Sequence, residues 1–155
     1  MLQNLVFFCF HLCTVCLPAD FSLWHPSEFV NKTFRRLINW VPLIIYWGII
    51  TYFSSMPYPR LPMPSFEGMD KILHLLEYAI LGVLFSRAWL LSWPNIFRTT
   101  TGVLVVTGLF ALLVGMSDEW HQVMVIGRTP STWDALADIL GCLLGAYLYK
   151  KWLER

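Results

Sequence analysis

The sequence predicts an all-α integral membrane bundle of four transmembrane helices with a short apolar N-terminal extension. Composition is the first reason. Of 155 residues, 57% are hydrophobic and 14% are charged, where a soluble domain carries roughly 25% charged residues. Mean hydropathy is +0.57. Pattern is the second reason. Four apolar stretches of helical length alternate with breaker-rich segments, and the length accommodates about four spans of ~20 residues. Eight Trp and six Tyr are the third, because these side chains favour the membrane–water interface. A net charge of +1 makes no case for a nucleic-acid partner.

Residues 1–36 read as an N-terminal extension and residues 37–152 as one membrane domain. The apolar stretch 5–17 is short for a span, which needs at least ~17 residues. No Lys or Arg precedes Lys32, so the basic leader of a signal peptide is lacking. The stretch reads as an interfacial helix, a partial fifth span or an artefact of the chosen start codon. Cys9, Cys13 and Cys16 have a spacing used for iron–sulfur clusters. In an apolar terminal segment they read instead as small hydrophobes. No disulfide framework is evident.

The first span is expected over 37–53, closed by the breaker-rich loop Ser54-Ser55-Met56-Pro57 with Pro59, Pro62 and Pro64 beyond. The second is expected over 69–92, ended by Pro94, and the third over 99–123. The fourth is expected over 132–152, with Ser131 as N-cap and Asp134 three residues on, a capping-box-like pair. Eight of eleven basic residues (Lys32, Arg35, Arg36, Arg87, Arg98, Lys150, Lys151 and Arg155) gather at one end of this arrangement. Positive residues favour the cytoplasm. Both chain ends are then inside, and loops 54–69 and 124–131 outside.

The acids gather at the opposite end. Seven of the ten (Glu67, Asp70, Glu77, Asp118, Glu119, Asp134 and Asp138) fall in two polar clusters. Ionisable groups in transmembrane helices are costly and by default mark a functional site. Helical spacing puts Asp70, His74, Glu77, Tyr78 and Leu81 on one face of the second helix. Asp118, His121 and Gln122 share a face of the third, with Glu119 rotated beside Gln122. Asp134, Asp138, Gly141 and Gly145 form one stripe on the fourth. The stripes should face one another, since lipid would otherwise meet bare carboxylates. Arg128 belongs to the turn above them and suits a carboxylate or phosphate, which guanidinium grips bidentately. Lys71 joins the cluster or snorkels to the interface.

Each of these residues has a plainer reading. Asp70 and Asp134 suit helix N-termini, where negative charge complements the dipole. Arg128 with a carboxylate would make a structural lock. His74 and Glu77 are spaced to ligate a metal from one helix, and with His121 and Asp118 a mixed N/O site is conceivable. Interhelical hydrogen bonding explains the same residues, so no metal and no cofactor is expected. Glu119 and Asp138 are the hardest to reduce to structure, because deep carboxylates often do acid–base work.

Taken together, these motifs resemble the VanZ-like family of bacterial membrane proteins, named for an accessory factor in glycopeptide (teicoplanin) resistance. The resemblance rests on D-K-x-x-H-x-x-x-Y at Asp70, Lys71, His74 and Tyr78, followed by Leu81-Gly82. It continues in S-D-E-x-H-Q at Ser117–Gln122 and R-x-x-S-x-x-D at Arg128, Ser131 and Asp134. It ends in the small-residue helix at Gly141 and Gly145, and covers about residues 37–150. Where many relatives carry Asn, this chain has Asp138. The resemblance implies a small multi-pass protein of the bacterial inner (cytoplasmic) membrane with its polar site on the extracytoplasmic side.

Two functions are consistent with the residues. In the favoured one, a polar funnel binds a cell-envelope lipid or lipoglycopeptide-like amphiphile. Its ligand-binding residues would be Asp70, Lys71, His74, Glu77, Tyr78, Asp118, Glu119, His121, Gln122, Arg128, Ser131, Asp134 and Asp138. In the alternative, the site is an intramembrane acid–base or metal-assisted enzyme acting on a lipid head group, with His74, Glu119 and His121 as catalytic candidates. No nucleophile elbow or phosphate loop is present. Proton-linked transport along Asp70, Glu77 and Asp138 is a weaker third, since one-sided polarity gives no complete path. The expected partners are membrane lipids and a second copy of the chain in a homo-oligomer.

Overall fold

The computed structural model describes residues 32–55, 69–125 and 131–155. Among these residues there are four helices and no strand: α1 Lys32–Ser54, α2 Met69–Ser92, α3 Thr100–Val123 and α4 Thr132–Leu153. The last three lie within a residue of the expected bounds. α1 begins ahead of the expected residue 37. Arg35 and Arg36 form helix readily, and their long stems let the charge reach water, so the helix outlasts its apolar stretch. The N-terminal segment and both loops of the polar end fall outside the described residues.

Three helical segments are long and apolar enough to cross a membrane: Phe34–Ser54, Lys71–Ser92 and Thr100–Val123. α4 is not clearly a fourth by composition, because Asp134, Asp138, Lys150 and Lys151 share its 22 residues. The large apolar side chains point outward. Leu37, Leu113, Trp120 and Trp133 are each more than half exposed. Apolar surface of this extent marks contact with lipid rather than water.

α2 is the centre of the bundle. It packs most closely on α4 and also against α1, while α4 packs on α3. Glycine makes the α2–α4 contact possible. A Cβ on Gly145 would overlap the Ala79 carbonyl oxygen, and one on Gly141 the Leu75 carbonyl oxygen. From the other side, a Cβ on Gly82 would overlap the Cys142 carbonyl oxygen. Backbone therefore meets backbone directly, as small residues allow in membrane helices. This crossing sets the register that aligns the polar stripes of α2 and α4.

The end opposite the acids is aromatic and basic. Trp40 Nε1–H donates to Ser92 Oγ at 3.1 Å, and Trp40 meets Phe85 and Trp93 edge-on at 5.7 and 5.5 Å. Phe85 stacks on Phe110 at 4.2 Å, joining α2 to α3. Beyond α4, the Glu154 carboxylate accepts from Thr100 Oγ1 at 3.0 Å and pairs with Lys150 and Lys151 at 3.2 and 3.0 Å.

These partners, Lys151 foremost, hold the Glu154 carboxyl down from the usual 4.5 to about 2. Its folded pKa is depressed, so its stabilisation is present above pH 4.5 and is lost as pH falls toward about 2. The group is exposed, so the effect is small and fades with salt. Glu154→Gln is expected to lower the melting temperature slightly at neutral pH and to converge with the wild type toward pH 2, so that the acid limb of a thermal-stability profile flattens.

Candidate functional site

The polar end is built from the C-termini of α1 and α3 and the N-termini of α2 and α4. His74 lies about one turn inside the start of α2, and Asp138 about two turns inside α4. His74 Nδ1 is 3.0 Å from Asp138 Oδ1. An ionised carboxylate only accepts, so with Asp138 ionised the imidazole Nδ1–H is the donor. Asp138 is fully buried, while the His74 side chain keeps 13% of its surface exposed. The other carboxylate oxygen of Asp138, Oδ2, has no hydrogen-bond partner. Gly115 of α3 lies alongside, where a Cβ would make ordinary van der Waals contact with Oδ2 at 3.7 Å.

Asp118 enters from α3. Gln122, one turn on, donates from Nε2 to Asp118 Oδ2 at 2.7 Å and to Ser54 Oγ of α1 at 3.3 Å. Both amide hydrogens are used, so Gln122 fixes the Asp118 carboxylate and ties it to α1. Asp118 and Gln122 are buried. His74, Asp118 and Asp138 each place one potential ligand atom within 4.8 Å of the other two. Among the described residues these are the side chains positioned to hold a metal. Glu77 and His121, the other metal candidates of the sequence, are not in that grouping.

Tyr78 is fully buried beside the pair, its ring stacked on His74 at a centroid distance of 6.4 Å. Its hydroxyl has no hydrogen-bond partner. Tyr78 Oη and Asp138 Oδ2 are thus orphaned beside the His74 ring, and Glu119 Oε1, nearer the helix ends, is buried without a hydrogen-bond partner as well. Such groups are expensive to leave unmade. Glu77 keeps its place on α2, where its backbone carbonyl accepts from Tyr46 Oη at 3.3 Å.

A second layer lies nearer the helix ends. Lys71 Nζ pairs with Asp134 Oδ1 at 3.5 Å, so the lysine joins the cluster. Ser55 Oγ donates to the Thr51 carbonyl at 2.6 Å and lies 2.8 Å from His121 Nε2. A hydroxyl has one hydrogen, so Nε2 carries the proton of that second bond. Ser131 is the N-cap of α4, but its side chain makes no capping bond. The capping box expected from Asp134 is absent. Glu119 Oε2 of α3 instead accepts from the Ser131 backbone N–H at 2.9 Å. A carboxylate from a neighbouring helix satisfies that amide and docks α4 on α3.

His74, Tyr78, Asp118, Gln122 and Asp138 therefore form the buried layer, and Lys71, Glu119, His121, Ser131 and Asp134 the outer one. Of Asp70 the structure describes only the helical backbone, and Arg128 lies outside the described residues. Ser54 and Ser55, which the sequence places at the close of the first span but not among the site residues, join the cluster. Their position just after an apolar span, at the polar end, was the available signal.

Apolar helix surfaces, a glycine-mediated helix crossing and buried ionisable groups at one end define a small helical membrane protein. The chain belongs to the VanZ/LLP1 family, whose family model matches residues 5–153. The match extends N-terminally past the stretch that the motifs cover. No curated protein and no solved structure matches the chain.

Proposed function

We propose that this protein is a four-span inner-membrane protein whose polar end binds the head group of a cell-envelope amphiphile while the apolar tail stays in the bilayer. The observation that carries this reading is the buried layer of His74, Asp118, Asp138 and Tyr78, with two polar atoms left unpartnered under an otherwise lipid-facing bundle. A purely structural network would be expected to use its hydrogen-bonding capacity internally. Free capacity aimed into the interior suits a ligand that brings its own donors. α4 completes the bundle as the fourth span because its carboxylates face inward and its lysines lie at the far end, where they snorkel. The basic end sits in the cytoplasm and the polar end outside.

On this reading Arg128, in the segment between α3 and α4, contributes a charge to the head group. Envelope lipid precursors and lipoglycopeptides share the required form, so teicoplanin tolerance is one phenotype to assay. The test is which lipid stays with the purified protein. The reading also expects some acid-to-amide changes to be tolerated. Glu119→Gln keeps an oxygen for the Ser131 amide and should leave both folding and lipid retention in place. Loss of all function from that change alone, with folding intact, would favour intramembrane acid–base catalysis.

A further inference from the structure

We propose that His74, Asp118 and Asp138 form a divalent transition-metal site of the Zn²⁺ or Mn²⁺ class. It deepens the head-group reading, resting on the same view of this layer as a ligand site. The three residues come from three different helices, α2, α3 and α4, and each offers one ligand atom within 4.8 Å of the others. A tetrahedral ion with bonds of ~2.1 Å spaces its ligand atoms ~3.4 Å apart. The His74–Asp138 separation of 3.0 Å is already at that scale, so a rotamer adjustment of Asp118 closes the set.

Three further observations point to a cation. Asp138 is fully buried and its Oδ2 is unpartnered, although an ionised carboxylate has about four acceptor sites to fill. Asp118 brings a second carboxylate to the same spot, and His74, even when protonated, supplies one positive charge for two neighbouring anions in a low-dielectric interior. Lys71 reaches Asp134 rather than this pair. Finally, Gln122 orients Asp118 through its 2.7 Å hydrogen bond, the outer-layer support that metal-binding carboxylates characteristically have.

One imidazole and two carboxylates suit a borderline or hard divalent ion more than copper(I) or an iron–sulfur cluster. Three protein ligands leave a coordination position open. The ion would neutralise the two carboxylates and, through its open position, add a direct contact for a phosphate or carboxylate head group.

The test uses the full chain in detergent, tag removed and stripped with a chelator. Co²⁺ is titrated in and followed by its visible d–d bands, with Zn²⁺ as competitor and elemental analysis for stoichiometry. One ion per chain is expected, with a rise in melting temperature on binding. Asp118→Asn and His74→Gln should each weaken binding at least tenfold, and Gln122→Ala about tenfold through the oriented carboxylate. Glu154→Gln, at the opposite end of the bundle, should bind like the wild type. A folded wild-type chain with neither bands nor thermal shift overturns the site, as does equal binding by wild type and Asp118→Asn. No lipid enters the titration, so its failure would leave the head-group reading standing.

Discussion

Gly145→Val is expected to unfold the bundle. Even a Cβ at this position would overlap the Ala79 carbonyl oxygen, and valine adds two methyl groups beyond it. Overpacking costs typically ~1–3 kcal/mol where side chains can move aside. Here the obstacle is the backbone of α2, so the cost should reach or exceed the top of that range. Relief requires α2 and α4 to separate, which would also move Leu75 off Gly141 and Cys142 off Gly82. Gly82→Ala should therefore be nearly as damaging, acting from the opposite helix. Gly48 provides the contrast, since a Cβ there meets nothing within 4 Å. Gly48→Ala should be neutral or stabilising by up to ~1 kcal/mol, the helix-propensity difference. Thermal melts by far-ultraviolet circular dichroism in detergent check all three. A Gly145→Val chain that melts like the wild type would contradict the α2–α4 crossing.

The second large effect is expected at Asp138. Asp138→Ala removes the partner of His74 and leaves a cavity against Gly115. Breaking a buried charged pair costs ~3–5 kcal/mol, whereas one neutral hydrogen bond between membrane helices averages ~0.6 kcal/mol. A fully buried carboxylate 3.0 Å from an imidazole, with a second carboxylate close by, places the expectation near ~3 kcal/mol. Asp138→Asn keeps an oxygen that accepts from the His74 N–H and should recover most of that loss. Comparing the two melts separates the charge from the hydrogen bond. Equal melting of Asp138→Ala and wild type would show that the pair contributes nothing to folding.

Much of this architecture was legible in the sequence, for definite reasons. α2, α3 and α4 are bounded by strong breakers and carry polar residues at helical spacing, so their lengths and inward faces could be read directly. The stripe of Asp134, Asp138, Gly141 and Gly145 is a case where periodicity alone orients a helix. Helix α1 lacks such a stripe, and its start is hard to place because Lys32, Arg35 and Arg36 fit a flanking segment as well as a first helical turn. The fourth span was read from overall apolarity, yet the inward acids of α4 that build the site are what weaken it as a span by composition. Pairing between helices was not legible. Nothing local says that His74 meets Asp138 rather than Glu77's neighbours, or that Glu119 rather than Asp134 takes the Ser131 amide. Those contacts follow from the axial register fixed by Gly82, Gly141 and Gly145, which single-helix patterns do not encode. Ser54 was passed over for the same reason, since its partner Gln122 lies 68 positions away in the chain.

The central claim is that the polar end holds the head group of an envelope amphiphile. Native mass spectrometry of the protein released gently from its own membranes tests it most directly, comparing wild type with Arg128→Ala and His74→Ala. The account predicts a discrete adduct of lipid mass on the wild type, identifiable by fragmentation and lost or strongly reduced in both variants while the chain stays folded. A bare wild-type chain, or an adduct equally retained by all three proteins, would contradict it and leave the buried residues as a structural network.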